Sequence, residues 1–227
     1  MEIGAIKALA IRAARAMPPV EAERVHAVAG AGLAGDVHAD VFSPRQLLLA
    51  SAAMYENLAL PPHALRENLL LGFDTAQLRS GTVLQVGSEV TLRLMFQCEA
   101  CGQLDSQRAG LAQAVGARRG MLARVETGGL IRTGDAVLDL GVRLPAWSDD
   151  WRARLRQVLD ALPGHAVIEY RHLARLAGVQ SSYCRAFPRV IASLGAAYAG
   201  KAVSSQSPDK RPRWEGQGLF SEPGRSG

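Results

Sequence analysis

The sequence predicts a mostly β domain followed by a small helical one. Short apolar runs separated by glycine-containing breaks fill the chain as far as about Pro145. Beyond Pro145 the apolar spacing becomes helical, between residues suited to capping and stopping helices. The charge divides at the same place: 14 basic residues meet 14 acidic ones up to Pro145, and 12 meet 7 after it. The whole net charge of +5 therefore lies in the second part, an asymmetry that fits either a polyanion partner or a solvated basic face.

Taken in order, the residues from Ile3 to Ile11 read as a first strand, not a secretory leader, because Lys7 and Arg12 interrupt the apolar stretch. Ser51 is placed to cap a short helix through Leu58, ended by Pro61 and Pro62. Strand-like runs follow at Asn68–Leu71, Val83–Val86, Val90–Leu94, Met121–Val125 and Ala136–Leu140. Gly72, Gly81, Gly87, Gly128, Gly129 and Gly134 fall between them. Closely spaced strands with few long helices imply a barrel or folded sheet over residues 1–145. In the second part, Ser148 or Asp149 opens a helix to Leu162, and another covers Tyr170 to Ala177. A third runs from Ser181 or Ser182 toward Leu194. Helix, short turn and helix outline a helix-turn-helix over 149–205, and 206–227 is a polar tail, partly extended or disordered.

No apolar run approaches the ~20 residues that cross a bilayer, so no membrane role is expected. Three cysteines, Cys98 and Cys101 in a C-x-x-C pair and Cys184 far away, make no disulfide framework. Such usage fits a reducing, cytoplasmic setting. By themselves the paired thiols allow half a zinc site, a redox dithiol or two buried sulfurs. Zinc lacks a second C-x-x-C or a paired histidine motif, and a thioredoxin-like dithiol lacks its βαβ setting.

Gly30-Ala31-Gly32-Leu33-Ala34-Gly35 matches G-x-G-x-x-G, but Asp36 to Pro44 does not open the helix that a dinucleotide site needs. The same residues begin a different resemblance. Gly32-Leu33-Ala34-Gly35-Asp36, Arg45-Gln46-Leu47, Glu67-Asn68-Leu69 and Leu78 to Val90 follow one another in order. Cys98-Glu99-Ala100-Cys101 and Arg119-Gly120-Met121 come next, and Gly129 to Asp135 completes the series. The series resembles the MOSC domain, the C-terminal domain of molybdenum-cofactor sulfurases. It departs from the family at Ala117-Arg118, where many relatives carry glycine and arginine.

This resemblance implies a β-barrel-like fold and chemistry at Cys101, as sulfur carrier or molybdenum ligand, with Cys98 as its neighbour. A thiolate suits both tasks, and a strand end leading into a helix would favour it. It also implies a molybdenum cofactor, for whose phosphate Arg45, Arg66 and Arg119 are candidates and for whose pterin Asn68 could supply an amide. Reduction of N-hydroxylated substrates, with an electron-donor protein, falls within the same family. Asp36 and Asp135, each after a glycine, read as turn residues. Pyridoxal phosphate would belong to a partner cysteine desulfurase, since Lys7 is the only lysine before residue 200.

The second part carries its own, shorter resemblance. Val167 to Ala174 and Tyr183 to Phe187 resemble the helix-turn-helix part of alkylguanine-DNA alkyltransferases, which implies a winged-helix-like domain. Tyr170 and Arg185 then stand at the phosphate-side tyrosine and the base-replacing arginine. The acceptor motif P-C-H-R is missing, so alkyl transfer is not expected, whereas contact with DNA or a nucleobase is. Arg171 with Arg175, and Arg185 with Arg189, are spaced to share helix faces and meet phosphates. Pro188 falls inside the third expected helix. The alternative to cofactor chemistry is thus a nucleic-acid-binding protein with the β domain as scaffold.

Overall fold

A computed structural model describes residues 1–106 and 108–221. Two compact units result: Met1–Val41 with Arg45–Trp147, and Phe42–Pro44 with the chain from Ser148 onward.

In the first unit, the sheet closes because alternating apolar residues can then face one interior. Its strands are β1 (Glu2–Ile11), β2 (Val20–Ala22), β3 (Arg24–Val28), β4 (Gly32–Leu33), β5 (Leu47–Ser51) and β6 (Leu69–Leu71). They continue as β7 (Thr82–Val86), β8 (Val90–Gln97), β9 (Met121–Thr127), β10 (Gly129–Arg132) and β11 (Ala136–Arg143). The order β11-β7-β8-β9-β5-β6-β1 returns to β11, a closed barrel of seven strands with β2 added at β1. Most neighbours are antiparallel, while β5 and β6 run parallel with Leu49 opposite Leu69. Strands β10, β3 and β4 form a separate three-stranded sheet. Leu92, Leu94, Ala123, Val125, Leu47, Leu49, Leu69, Leu71 and Val137 fill the interior.

Helices α1 (Ala52–Leu58) and α2 (Leu111–Val115) belong to a second apolar cluster, in which Met54, Leu65, Leu104, Leu111 and Val115 pack with Ala50. Ser51 stands at the start of α1 as expected, but its hydroxyl makes no capping bond. The helix ends at Ala59 in a left-handed conformation, before the two prolines are reached. After Gly35 the chain turns and opens no helix, in keeping with the rejected dinucleotide motif.

The second unit holds α3 (Trp151–Ala161), β12 (Ile168–Glu169), α4 (Tyr170–Leu176), α5 (Phe187–Leu194) and β13 (Ala202–Val203). Asp150 caps α3, accepting from the Arg152 amide at 3.0 Å. Ser148 instead accepts from the Asp150 amide. The expected third helix divides into a 3-10 turn, Ser181–Ala186, and α5. Pro188 is the physical reason: it has no amide hydrogen to continue a helix begun at Ser181, yet fits the first turn of a new one. β12 and β13 pair in parallel over two residues. Beyond them, the Val167 amide donates to Pro212 and the Trp214 amide to Val167. Trp214 is buried. Residues 222–227 of the expected tail lie outside the described residues. Among the described residues no helix is long and apolar enough to cross a membrane.

Candidate functional site

Cys98 follows the last residue of β8, and Cys101 lies three residues on, where the sheet gives way to turns. Residues 98–101 form neither helix nor turn, and α2 begins only at Leu111. The expected strand end is present; the helix next to the thiols is not. Cys98 is buried and its amide donates to the Gly120 carbonyl at 2.8 Å. Cys101 is half-buried. Both are free thiols.

Each sulfur has its own arginine. The Arg119 guanidinium donates to Cys101 Sγ at 3.4 Å and to the Glu99 carbonyl at 3.1 Å. Its other amino group donates to the Leu65 carbonyl at 3.3 Å. Arg45 donates to Cys98 Sγ at 3.7 Å. Arg119 is held here by Gly120, the residue before β9. A Cβ at Gly120 would stand 2.2 Å from the Leu49 carbonyl oxygen, so only glycine lets β9 approach β5 this closely.

Arg66 lies on the loop between α1 and β6 and donates to the carbonyls of Arg15 and Met17. The Nε atoms of both Arg66 and Arg119 are buried without a hydrogen-bond partner. Buried donors left in this state cost free energy, which an anionic ligand would recover.

Asn68 is placed differently from Arg119. Its side-chain oxygen accepts from the Leu48 amide, while its nitrogen donates to Ala10 and to Asp36 Oδ2 at 2.9 Å. The whole amide is thus engaged in tying β5, β6 and β1 to Asp36. The Asp36 carboxylate also accepts from the amides of Arg12 and His38, and its Oδ1 meets His38 Nδ1 at 3.0 Å. Burial pushes this carboxyl up, but the hydrogen bonds from His38 and Arg12 outweigh it and hold it below its ordinary value. The turn role read for Asp36 extends to fixing a histidine. His38 Nε2 in turn lies 2.9 Å from the Arg12 guanidinium. Burial, then repulsion from Arg66, lowers Arg12 from its ordinary value, with Arg15 and Arg119 contributing.

A third group surrounds Glu67. Tyr55 of α1 donates its hydroxyl to Glu67 Oε2 and accepts the Leu65 amide at 3.1 Å. His63 Nδ1 meets Glu67 Oε1 at 3.1 Å.

Arg12, His38, Tyr55 and His63 were not among the residues singled out from sequence. The available signals were local: His38 two residues after Asp36, and His63 four before Glu67. Arg12 gave no signal beyond its place after a strand. Among the described residues there is no group of three or more His, Cys, Asp and Glu side chains that could hold a metal. An open cleft lined by Glu21, Glu23, Arg24 and Arg132 contains neither cysteine.

In the second unit, Tyr170 packs edge-to-face on Phe187, with centroids 6.2 Å apart. Arg171 pairs with Glu169 at 3.2 Å, and the Arg175 guanidinium lies 4.9 Å from the Phe42 ring centroid. Arg185 and Arg189 are exposed, the first on the 3-10 turn and the second on α5. Cys184 Sγ reaches the Tyr170 carbonyl at 3.5 Å, and burial pushes this thiol up.

Comparison with known proteins bears on the first unit most directly. Residues 36–138 match the family model of the MOSC domain, a span that includes both C-x-x-C cysteines and Arg45, Arg66, Asn68 and Arg119. The YuaD protein of Bacillus subtilis is similar in fold, with TM-score 0.51 and 20% identity, covering 59% of this chain and 93% of its own. YiiM of Escherichia coli aligns with TM-score 0.50 and 17% identity, over 84% of this chain and 94% of its own. A hypothetical protein of solved structure gives 0.54 and 18%, over 86% of this chain and 92% of its own. At these identities the likeness is one of fold. No curated protein matches the chain. The family match and the barrel together support the MOSC family.

Proposed function

We propose that this MOSC-type chain works through Cys101, as the carrier of a sulfur atom or as the protein ligand of a molybdenum cofactor. The observation that supports it is the pairing of a half-buried Cys101 sulfur with the buried Arg119 guanidinium at 3.4 Å. A soft sulfur ligand beside a fixed cation is the donor set that molybdenum and persulfide chemistry use.

The residues fit a phosphate-bearing cofactor. The unpartnered Nε–H groups of Arg66 and Arg119 are donors awaiting an anion, and guanidinium matches phosphate geometry. Cys101 would ligate the metal, with Arg66, Arg119 and Arg45 toward the phosphate. Asn68 acts from behind, because its amide is spent on Leu48, Ala10 and Asp36. Cys98, buried next to Arg45, holds the strand end on which Cys101 depends. When bound, the cofactor supplies two-electron chemistry, for which N-hydroxylated compounds are the substrate class. A sulfur-carrying role would instead draw its sulfur from a cysteine desulfurase, which brings its own pyridoxal phosphate.

The test is metal and sulfane-sulfur content of the full chain beside Cys101→Ser. Molybdenum or sulfane sulfur near one per chain, lost in Cys101→Ser, is expected. Equal content in the two proteins overturns the reading.

The second reading, nucleic-acid contact by the second unit, is favoured by the outward placement of Arg171, Arg185 and Arg189. About 3 to 5 phosphate contacts give a log–log salt slope of roughly −3 to −4.5 for duplex DNA. A slope unchanged in Arg185→Ala removes that arginine from the interface, and no binding at low salt removes the reading.

A further inference from the structure

The loop between α1 and β6 contains every non-glycine residue with positive φ among the described residues: Ala59 at 46°, His63 at 57° and Arg66 at 61°. Such conformations are unfavourable for L residues and persist only where surrounding contacts hold them. At His63 those contacts run to Glu67, which is buried and has a partner on each oxygen: Tyr55 on one and His63 on the other. Tyr55 passes the constraint on, because its hydroxyl also accepts the Leu65 amide. The carbonyl of the same Leu65 accepts from Arg119. The peptide units on either side of one buried residue therefore join the Glu67 cluster to the cation that touches Cys101.

We propose that His63 is a positioning residue whose proton latches this loop and so keeps the Arg119 guanidinium against Cys101. The inference rests on the reading above only in taking Cys101 as the working sulfur.

His63 faces carboxylates on both ring nitrogens. Glu67 Oε1 lies 3.1 Å from Nδ1, and Glu21 Oε2, on β2 and largely exposed, lies 3.9 Å from a buried Nε2. As imidazolium it is attracted to both. As neutral imidazole it keeps at most one donor and turns a lone pair toward the other acid. The other titratable groups of the cluster are the Tyr55 phenol and Arg119. Burial and the Glu67 carboxylate push the phenol far up, so it remains a donor throughout. The hydrogen bond to Glu67, opposed by burial and assisted by the two acids, raises His63 above its ordinary value. The sign follows: the latch is fully closed below about pH 6.5, the unfolded value, and is released as pH rises through the higher folded value.

The test compares alkylation of Cys101 by iodoacetate and by iodoacetamide, read by peptide mass spectrometry. Both reagents need the thiolate, so the ratio of their rates cancels the thiolate fraction and reports the cation beside the sulfur. Arg119→Gln sets the floor. In the wild type the ratio should fall about fivefold between pH 6 and 9, the order expected for moving one unit charge away by several Å. The midpoint should be that of His63 followed by NMR. In His63→Gln the step should vanish. In Tyr55→Phe His63 should still titrate but the step should again vanish, because the link to Leu65 is cut. Exchange of the Leu65 amide in the wild type should quicken at the same midpoint, beyond the ordinary effect of hydroxide.

A step that persists in His63→Gln or Tyr55→Phe overturns the latch, as does a wild-type ratio independent of pH. None of these readings requires metal or added sulfur. Failure of the latch therefore leaves the role of Cys101 standing, and loss of that role leaves the latch testable.

Discussion

Gly120→Ala is the substitution that most sharply tests how the barrel holds the site. Gly120 has φ of 138°, and an added Cβ would approach the Leu49 carbonyl oxygen to 2.2 Å and its carbon to 3.1 Å. The conformation alone costs a residue with a Cβ about 1–3 kcal/mol. The overlap is with backbone, not with a flexible side chain, so β5 and β9 must part locally. Losing about one ladder hydrogen bond with its packing adds ~1–2 kcal/mol. Together this is about 2–5 kcal/mol, a large share of the ~5–15 kcal/mol that domains have. Thermal unfolding should register it as a fall of roughly 5–15 °C. Gly134→Ala is the control, because φ is 90° there and nothing lies within 4 Å of the new atom, so only the conformational part is lost. If the two variants unfold together, or Gly120→Ala loses under about 1 kcal/mol, the close approach is not what fixes Arg119 and Cys98 in place.

Two further outcomes follow from buried polar groups. Asp36 has a folded value below its unfolded one, so its contribution is present above about pH 4 and lost as pH falls through the lowered value. Asp36→Asn should therefore flatten the acid limb of stability against pH in urea titrations, and an unchanged limb would show that its hydrogen bonds contribute nothing net. In the second unit, Arg154 is fully buried and donates to the carbonyls of Ala177, Ser148 and Asp149, each at 2.8 Å. Arg154→Met keeps the volume but leaves those carbonyls short, costing about 3 kcal/mol by thermal unfolding, and a loss below ~1 kcal/mol would refute the clamp.

Much of the barrel was legible because strand periodicity is local. In runs such as Val90–Leu94 the alternate residues Val90, Leu92 and Leu94 join the interior, and glycines punctuate such runs. Helix boundaries were less legible where a cap decided them: Asp150, not its neighbours, receives the Arg152 amide. Pro188 was visible as a difficulty, but whether it broke a helix or began one depended on the turn before it. For the site, the order of motifs drew attention to Cys101, Arg119, Arg66 and Asn68, yet not to their partners. Asn68 is directed into the framework, and only the register of β5, β6 and β1 shows that. Arg12 and His38, both bonded to Asp36, meet across 26 residues of sequence, a pairing that no spacing rule encodes. The Glu67 cluster includes His63, a positive-φ residue that is not glycine, so composition concealed it.

The account turns on which sulfur does the chemistry, and the position of an added sulfur or of cofactor protection answers that most directly. The full chain is treated with cysteine and a cysteine desulfurase, or separately with molybdenum cofactor, and each of its three cysteines is followed by alkylation and peptide mapping. The account predicts that Cys101 alone gains the sulfur or becomes protected from alkylation, with Cys98 and Cys184 unchanged. An added sulfur on Cys98 or Cys184, or Cys101 alkylating equally fast in treated and untreated protein, would contradict it.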